Sequence, residues 1–196
     1  MLTHKFFERN IKNDLNSLKE FLLIKNNEII INNIENGILK NSTQLAHKYN
    51  IFKFEFDSIS NLQEEIRSMT QEACEYYKID YDQQNYMIRG WFNYDNEKHL
   101  YDKNQLHDHS GGTGIPNFHG YYCVDAEPSV THYAINKDIN CIFENINKNN
   151  RAILSETGHP HARGNWKENF SRITIAYDIS PHSFTNGDFK KIWIRL

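Results

Sequence analysis

Cysteine is scarce in this 196-residue chain, and the three present, Cys74, Cys123 and Cys141, form no Cys-x-x-Cys pair. An odd, scattered set excludes a disulfide framework or a zinc ribbon and reads as free thiols in a reducing compartment. Long apolar runs are also missing. None nears the roughly 20 residues needed to span a bilayer, and the stretch from Met1 to Leu15 mixes charge with apolar residues instead of forming a signal-peptide core. A cytoplasmic protein without membrane contact is expected. Nor is there a block of one charge: 22 Lys and Arg are scattered among 25 Asp and Glu, for a net charge of −3, which argues against a nucleic-acid partner. No internal repeat is visible.

What the chain does contain, 39% hydrophobic and 13% aromatic residues, suffices for one sizeable core, so residues 1–196 are expected to form a single domain. Residues 1–80 read as a helical and mixed lead-in. Phe7, Ile11, Leu15, Leu18 and Leu22 recur at helical spacing. Ser60 and Gln63 form a capping box ahead of Leu62, Ile66, Met69, Ala73 and Tyr76, which share a second helical face. Between the two, Phe52, Phe54 and Phe56 alternate with Lys53 and Glu55 as in a strand. The lead-in helices either cover a sheet or offer a homodimer face.

Residues 86–196 read as a succession of short strands: Tyr86–Tyr94, Phe118–Val124, Val130–Ile135, Asn140–Phe143, Arg151–Leu154, Arg172–Ile179 and Lys191–Arg195, parted by Gly, Asn, Asp or Pro clusters. Many short strands after a few helices predict a mainly β fold with N-terminal helices and a double-stranded β-helix (jelly-roll, cupin-like) core. Such cores hold ligands in an open mouth between the sheets, and the Ser110–Asn117 loop, with its three glycines and Pro116, is expected to border that mouth.

The chemistry concentrates in His107-Asp108-His109, in Gly158-His159-Pro160-His161, and in Arg172. Residues two apart on a strand point the same way, so His107 and His109 can grip one divalent metal while a histidine from a distant strand completes a three-donor site with open positions. Structural metal sites close all positions, so an open one predicts catalysis. Asp108 should point to the opposite face, leaving two readings: an all-histidine site, or a backbone bend that brings Asp108 in. His159 and His161 compete for the third place. His119 and His132 also lie on inner-strand candidates, which suits a partner to the ligands, a substrate contact or a core role. Arg172 opens an apolar strand, and an inward guanidinium is costly unless an anion meets it. Metal and inward Arg together suggest a small carboxylic acid that chelates the metal.

With these residues the chain resembles the 2-oxoglutarate- and Fe(II)-dependent oxygenase superfamily, and within it a group of short bacterial and phage members. That group's pattern runs Trp-x-Asn, His-x-His, Ser-Gly-Val-Tyr-Tyr, then a distal His followed about eleven residues later by Arg-Ile-Ser. The counterparts here are Trp91-Phe92-Asn93, His107-Asp108-His109, His119-Gly120-Tyr121-Tyr122, and His161 with Arg172-Ile173-Thr174, covering residues 86 to 180. The resemblance implies His107, His109 and His161 at Fe(II), with Asp108 and His159 as alternates. It also implies Arg172 on the far carboxylate of the cosubstrate 2-oxoglutarate, with Tyr122 and Asn93 lining its pocket, and O2 as oxidant. The expected reaction is hydroxylation of a protein side chain or a small metabolite with release of succinate and CO2. Two other readings of the same residues are a cupin-like three-His dioxygenase that does not use 2-oxoglutarate, and a non-catalytic metal-binding jelly-roll module.

Overall fold

A computed structural model describes residues 5–33, 49–95, 100–109, 118–165, 171–184 and 192–196. The predicted loop Ser110–Asn117 lies outside them.

The first helix, α1 (Leu15–Asn33), is shorter at its start than the apolar spacing predicts. Asp14 sets its beginning: Oδ1 accepts from the backbone N–H groups of Asn16 and Ser17 at 3.1 and 3.2 Å, and Oδ2 from the Ser17 hydroxyl at 2.8 Å. Such a cap satisfies N–H groups that have no carbonyl partner within the helix. Phe7 and Ile11 therefore precede the helix. Strand β1 (Phe6–Asn10) includes Phe7 and pairs antiparallel with β6 (Arg151–Glu156), a long-range partner that competes successfully with helix formation.

Helix α2 (Asp57–Tyr77) follows its predicted face, and Leu62, Ile66, Met69 and Ala73 are fully buried. Burial of each large side chain contributes about 1.5–3 kcal/mol, and Leu62→Ala would cost about 2–5 kcal/mol. The helix starts three residues before the predicted Ser60 cap; Asp57 in its first turn complements the positive helix end. It stops where Lys78 turns left-handed (φ 57°) and its N–H meets the Cys74 and Glu75 carbonyls. Tyr76 is exposed. The strand expected from Phe52, Phe54 and Phe56 is instead a 3-10 turn over Ile51–Lys53 followed by extended residues. Asn50 makes that turn: its Oδ1 accepts from Phe52 and Gly90 N–H, and its amide donates to the Ile88 and Ile192 carbonyls. Gly90 is required there, since a Cβ would come within 2.4 Å of the Phe52 ring.

The remaining strands are β2 (Tyr86–Asp95), β3 (Phe118–Asp125), β4 (Val130–Ala134), β5 (Ile142–Ile146), β7 (His161–Arg163), β8 (Arg172–Pro181) and β9 (Ile194–Arg195). They form two antiparallel sheets, a large one in the order β1-β6-β3-β8-β2-β9 and a small one in the order β5-β4-β7. The fold is thus mainly β with few helices, a two-sheet sandwich. The outer face of the large sheet packs Phe92, Phe118, Tyr122, Leu154, Ile173, Ile175, Tyr177 and Ile179 against Leu18 and Leu22 of α1 and the buried face of α2. The inner face brings Trp91, Tyr121, Ile153 and Ala176 together with Tyr133 of the small sheet. Alternation along β8 therefore puts Ile173, Ile175, Tyr177 and Ile179 toward the helices and Arg172, Thr174, Ala176 and Asp178 toward the space between the sheets. Among the described residues no helix is long and apolar enough to cross a membrane.

Candidate metal centre

His107 lies just outside the named strands, but its backbone completes the small sheet. Its N–H donates to the His161 carbonyl at 3.1 Å and its carbonyl accepts from the His161 N–H at 2.8 Å. This pairing sets the two rings 4.7 Å apart, and the His109 ring lies 5.3 Å from His107 and 5.2 Å from His161. One donor atom from each of the three lies within 4.8 Å of the others, a spacing that can close on one metal ion.

Hydrogen bonds assign the donor atom. Nδ1 of His107 meets the Gln105 carbonyl at 3.0 Å, Nδ1 of His161 the His159 carbonyl at 3.0 Å, and Nδ1 of His109 the Asp178 Oδ1 at 2.8 Å. A carbonyl oxygen or an ionised carboxylate only accepts, so each Nδ1 carries the hydrogen and each Nε2 keeps its lone pair. Metal-binding histidines characteristically show this arrangement. His109 Nε2 is moreover buried with no hydrogen-bond partner among the described residues, a costly state that a divalent cation would relieve. The three imidazoles, with each Nδ1 engaged, fit a divalent metal held through their Nε2 atoms.

A second group at ligand spacing, His109, His119 and Asp178, is a hydrogen-bonded cluster around one oxygen. His119 on β3 and Asp178 on β8 are direct cross-strand partners, and His119 Nδ1 donates to the same Asp178 Oδ1 at 2.9 Å. The His109 and His119 rings stack at 3.8 Å, and Trp91 lies parallel to His109 at 5.9 Å. Burial, together with the neighbouring His109, pushes the His119 imidazole down to about 4. Burial and the surrounding histidines hold His161 well below the ordinary value. Burial alone would raise the Asp178 carboxyl, but the hydrogen bonds from His109 and His119 outweigh it and keep it below the usual carboxylate range.

Arg172 is 4% exposed. Its Nη1 lies 3.3 Å from the Thr174 hydroxyl and 3.5 Å from Asp95 Oδ2, while Arg163 donates to Asp95 Oδ1 at 2.5 Å. Asp95 is thus shared by two guanidiniums. Thr174 and Ala176 follow Arg172 on the same face of β8, ahead of Asp178. Asn93 pairs directly with Thr174 and so shares that face.

The other expected residues fall elsewhere. Asp108 is exposed and belongs to neither ligand-spaced group. His159 contributes its carbonyl to His161, as described. Tyr122 is on the helix side of the large sheet, with its hydroxyl 2.5 Å from Asn150 Oδ1. Its neighbour Tyr121 faces between the sheets, where it bonds Asn145 and Asn147 at 3.0 Å. With His119 inward, strand alternation sends 121 inward and 122 outward. His132 lies 3.2 Å from Glu144, under the Tyr101 ring, on the opposite side of β4 from Tyr133. Asp178 was not anticipated, although it has the same parity as Arg172 on an otherwise apolar strand.

Comparison with known proteins supports the fold. No protein-family model matches the sequence, and no curated protein matches it. Among solved structures, AviO1 from Streptomyces viridochromogenes Tue57 superposes over 92% of this chain and 91% of its own, with a TM-score of 0.57 at 10% identity. HygX from Streptomyces hygroscopicus, solved with iron bound, matches over 92% of this chain and 83% of its own, with a TM-score of 0.53 at 9% identity. A second HygX structure, with nickel and 2-oxoglutarate bound, gives the same TM-score of 0.53 at 9% identity over 92% and 84% of the two chains. An oxidoreductase from Burkholderia pseudomallei described as a 2OG-Fe(II) oxygenase family member overlaps 50% of this chain and 45% of its own, at 14% identity and a TM-score of 0.40, too partial to establish a shared fold. The chain has the fold of AviO1 and HygX.

Proposed function

We propose that the chain is a non-haem Fe(II)- and 2-oxoglutarate-dependent oxygenase that hydroxylates a small metabolite or a protein side chain and releases succinate and CO2. The carrying observation is the convergence of His107, His109 and His161 with every Nδ1 engaged by an oxygen acceptor. The strand order supports a double-stranded β-helix reading, with β2, β8, β3 and β6 as one wall and β5, β4, β7 and the His107 segment as the other. HygX, with the same fold, binds nickel and 2-oxoglutarate.

Bound iron would supply the redox chemistry that activates O2 and couples decarboxylation of the cosubstrate to oxidation of a C–H bond. The protein's own contribution is geometric and electrostatic. His107, His109 and His161 would hold the metal. Arg172, with the Thr174 hydroxyl beside it, would take the far carboxylate of 2-oxoglutarate, a charge-assisted contact of the strong kind. Asn93 would line the same pocket. Tyr121, rather than Tyr122, would form its wall. The Trp91 ring lies parallel to His109, 5.9 Å between centroids, as part of the apolar lining on the inner face of the large sheet.

The alternative of a three-His dioxygenase without 2-oxoglutarate draws on one observation: Arg172 already has Asp95 within 3.5 Å. An anaerobic absorption titration separates the two. Fe(II) is added to metal-free protein and then 2-oxoglutarate, with His161→Ala and Arg172→Ala alongside. A visible charge-transfer band, lost in His161→Ala and weakened in Arg172→Ala, is the expected result. Tight metal binding without a band would overturn the 2-oxoglutarate reading and favour the alternative.

A further inference from the structure

An all-imidazole ligand set brings no charge to a divalent metal, whereas the common non-haem iron set of two histidines and a carboxylate brings one negative charge. The missing charge stands one imidazole away. Asp178 Oδ1 lies 2.8 Å from His109 Nδ1 and 2.9 Å from His119 Nδ1. Building on the metal-site reading above, we propose that Asp178 is a positioning residue. It holds the His109 ring with Nε2 toward the metal and supplies, through that ring, the negative charge the ligands lack.

Three observations carry this assignment. The tautomer of His109 has no other determinant among its described contacts: its Nδ1 has Asp178, and its Nε2 has no hydrogen-bond partner among the described residues. His119 in turn fixes the carboxylate. It stands directly across β3 from Asp178, is 5% exposed, and gives the same oxygen a second N–H, so Asp178 cannot swing to become a ligand itself without abandoning two donors. The rings are also packed in place, His119 stacked on His109 at 3.8 Å and 4.7 Å from His161. Carboxylates placed behind a metal-binding histidine in this way raise its basicity, and their removal typically lowers metal affinity 10- to 100-fold.

The test uses the full chain and Ni(II) alone, followed by calorimetry, with [15N]histidine NMR of the metal-free protein. Asp178→Asn keeps the side-chain shape and one accepting oxygen but removes the charge. The expected result is about a 10- to 100-fold loss of Ni(II) affinity, a smaller loss for Asp178→Glu, and a His109 imidazole that carries its hydrogen on Nδ1 in the wild type and shifts toward Nε2 in Asp178→Asn. A purely structural Asp178 would leave the tautomer unmoved. Wild-type protein that binds Ni(II) while Asp178→Asn binds within threefold of it overturns this proposal and leaves the metal site standing. Wild-type protein that takes up neither Ni(II) nor Fe(II) overturns both. Should Asp178→Asn not fold, the wild-type spectrum decides alone, because a His109 hydrogen on Nε2 contradicts the assignment.

Discussion

Acidifying the metal-free protein should unfold it through the histidine cluster, in a pH window that the site itself defines. In the unfolded chain His119 takes up a proton near its ordinary value of 6.5, but in the folded protein it does so only at about 4. Between those values the unfolded state binds more protons, so stability falls as pH falls, and the loss from this residue is complete near the lower value. At about 1.4 kcal/mol per pH unit the gap amounts to roughly 3 kcal/mol. His161 is shifted in the same direction and adds to it. Asp178, held below the ordinary carboxylate value of 3.8, also loses stability on acidification, but in a separate window that starts only below that value. Against a typical domain stability of about 5–15 kcal/mol, the histidine loss is large. Urea unfolding of chelator-treated protein at pH 7, 6, 5 and 4.5 should show the midpoint dropping steadily, and His119→Gln should flatten part of that slope whatever its stability at pH 7. A midpoint that holds from pH 7 to 4.5, or an identical slope in His119→Gln, would refute the reasoning.

Four further substitutions test how the site is held. Gly120→Ala places a Cβ 2.2 Å from the Ile153 carbonyl and 2.5 Å from the Tyr177 ring, which should cost about 3 kcal/mol or more, read as a lowered melting temperature. Asp95→Asn removes the charge of the buried carboxylate shared by Arg163 and Arg172; denaturant titration should show a loss of about 3 kcal/mol. Tyr122→Phe should lose about 1 kcal/mol with its bond to Asn150 and leave 2-oxoglutarate binding unchanged, whereas Tyr121→Phe breaks bonds to both Asn145 and Asn147 and should weaken that binding.

What was legible in the sequence follows from the range of the forces involved. Strand positions in the second half are readable because alternation and turn residues act locally, and β2, β3, β6 and β8 begin at the expected residues. The spacing of His107 and His109 is also a local signal, and the fold brings both within ligand distance of His161; the inward face of Arg172 follows from alternation along its own strand. The helix drawn through Phe7 and Ile11 failed because spacing does not register a competitor. Asp14 caps the chain locally, while the edge of β6, more than 140 residues away in the chain, recruits Phe6–Asn10. Tyr122 is a different kind of failure. A motif position carries no parity, whereas parity counted from His119 along β3 points to Tyr121. Asp178 shows where reading by parity stops. Its inward direction could be counted from Arg172, but its role depends on His119 from a neighbouring strand and His109 from beyond the small sheet, and only the folded chain brings both onto one oxygen. Candidate ligands can thus be read from one segment at a time, whereas a residue proposed to orient them depends on the packing of several strands.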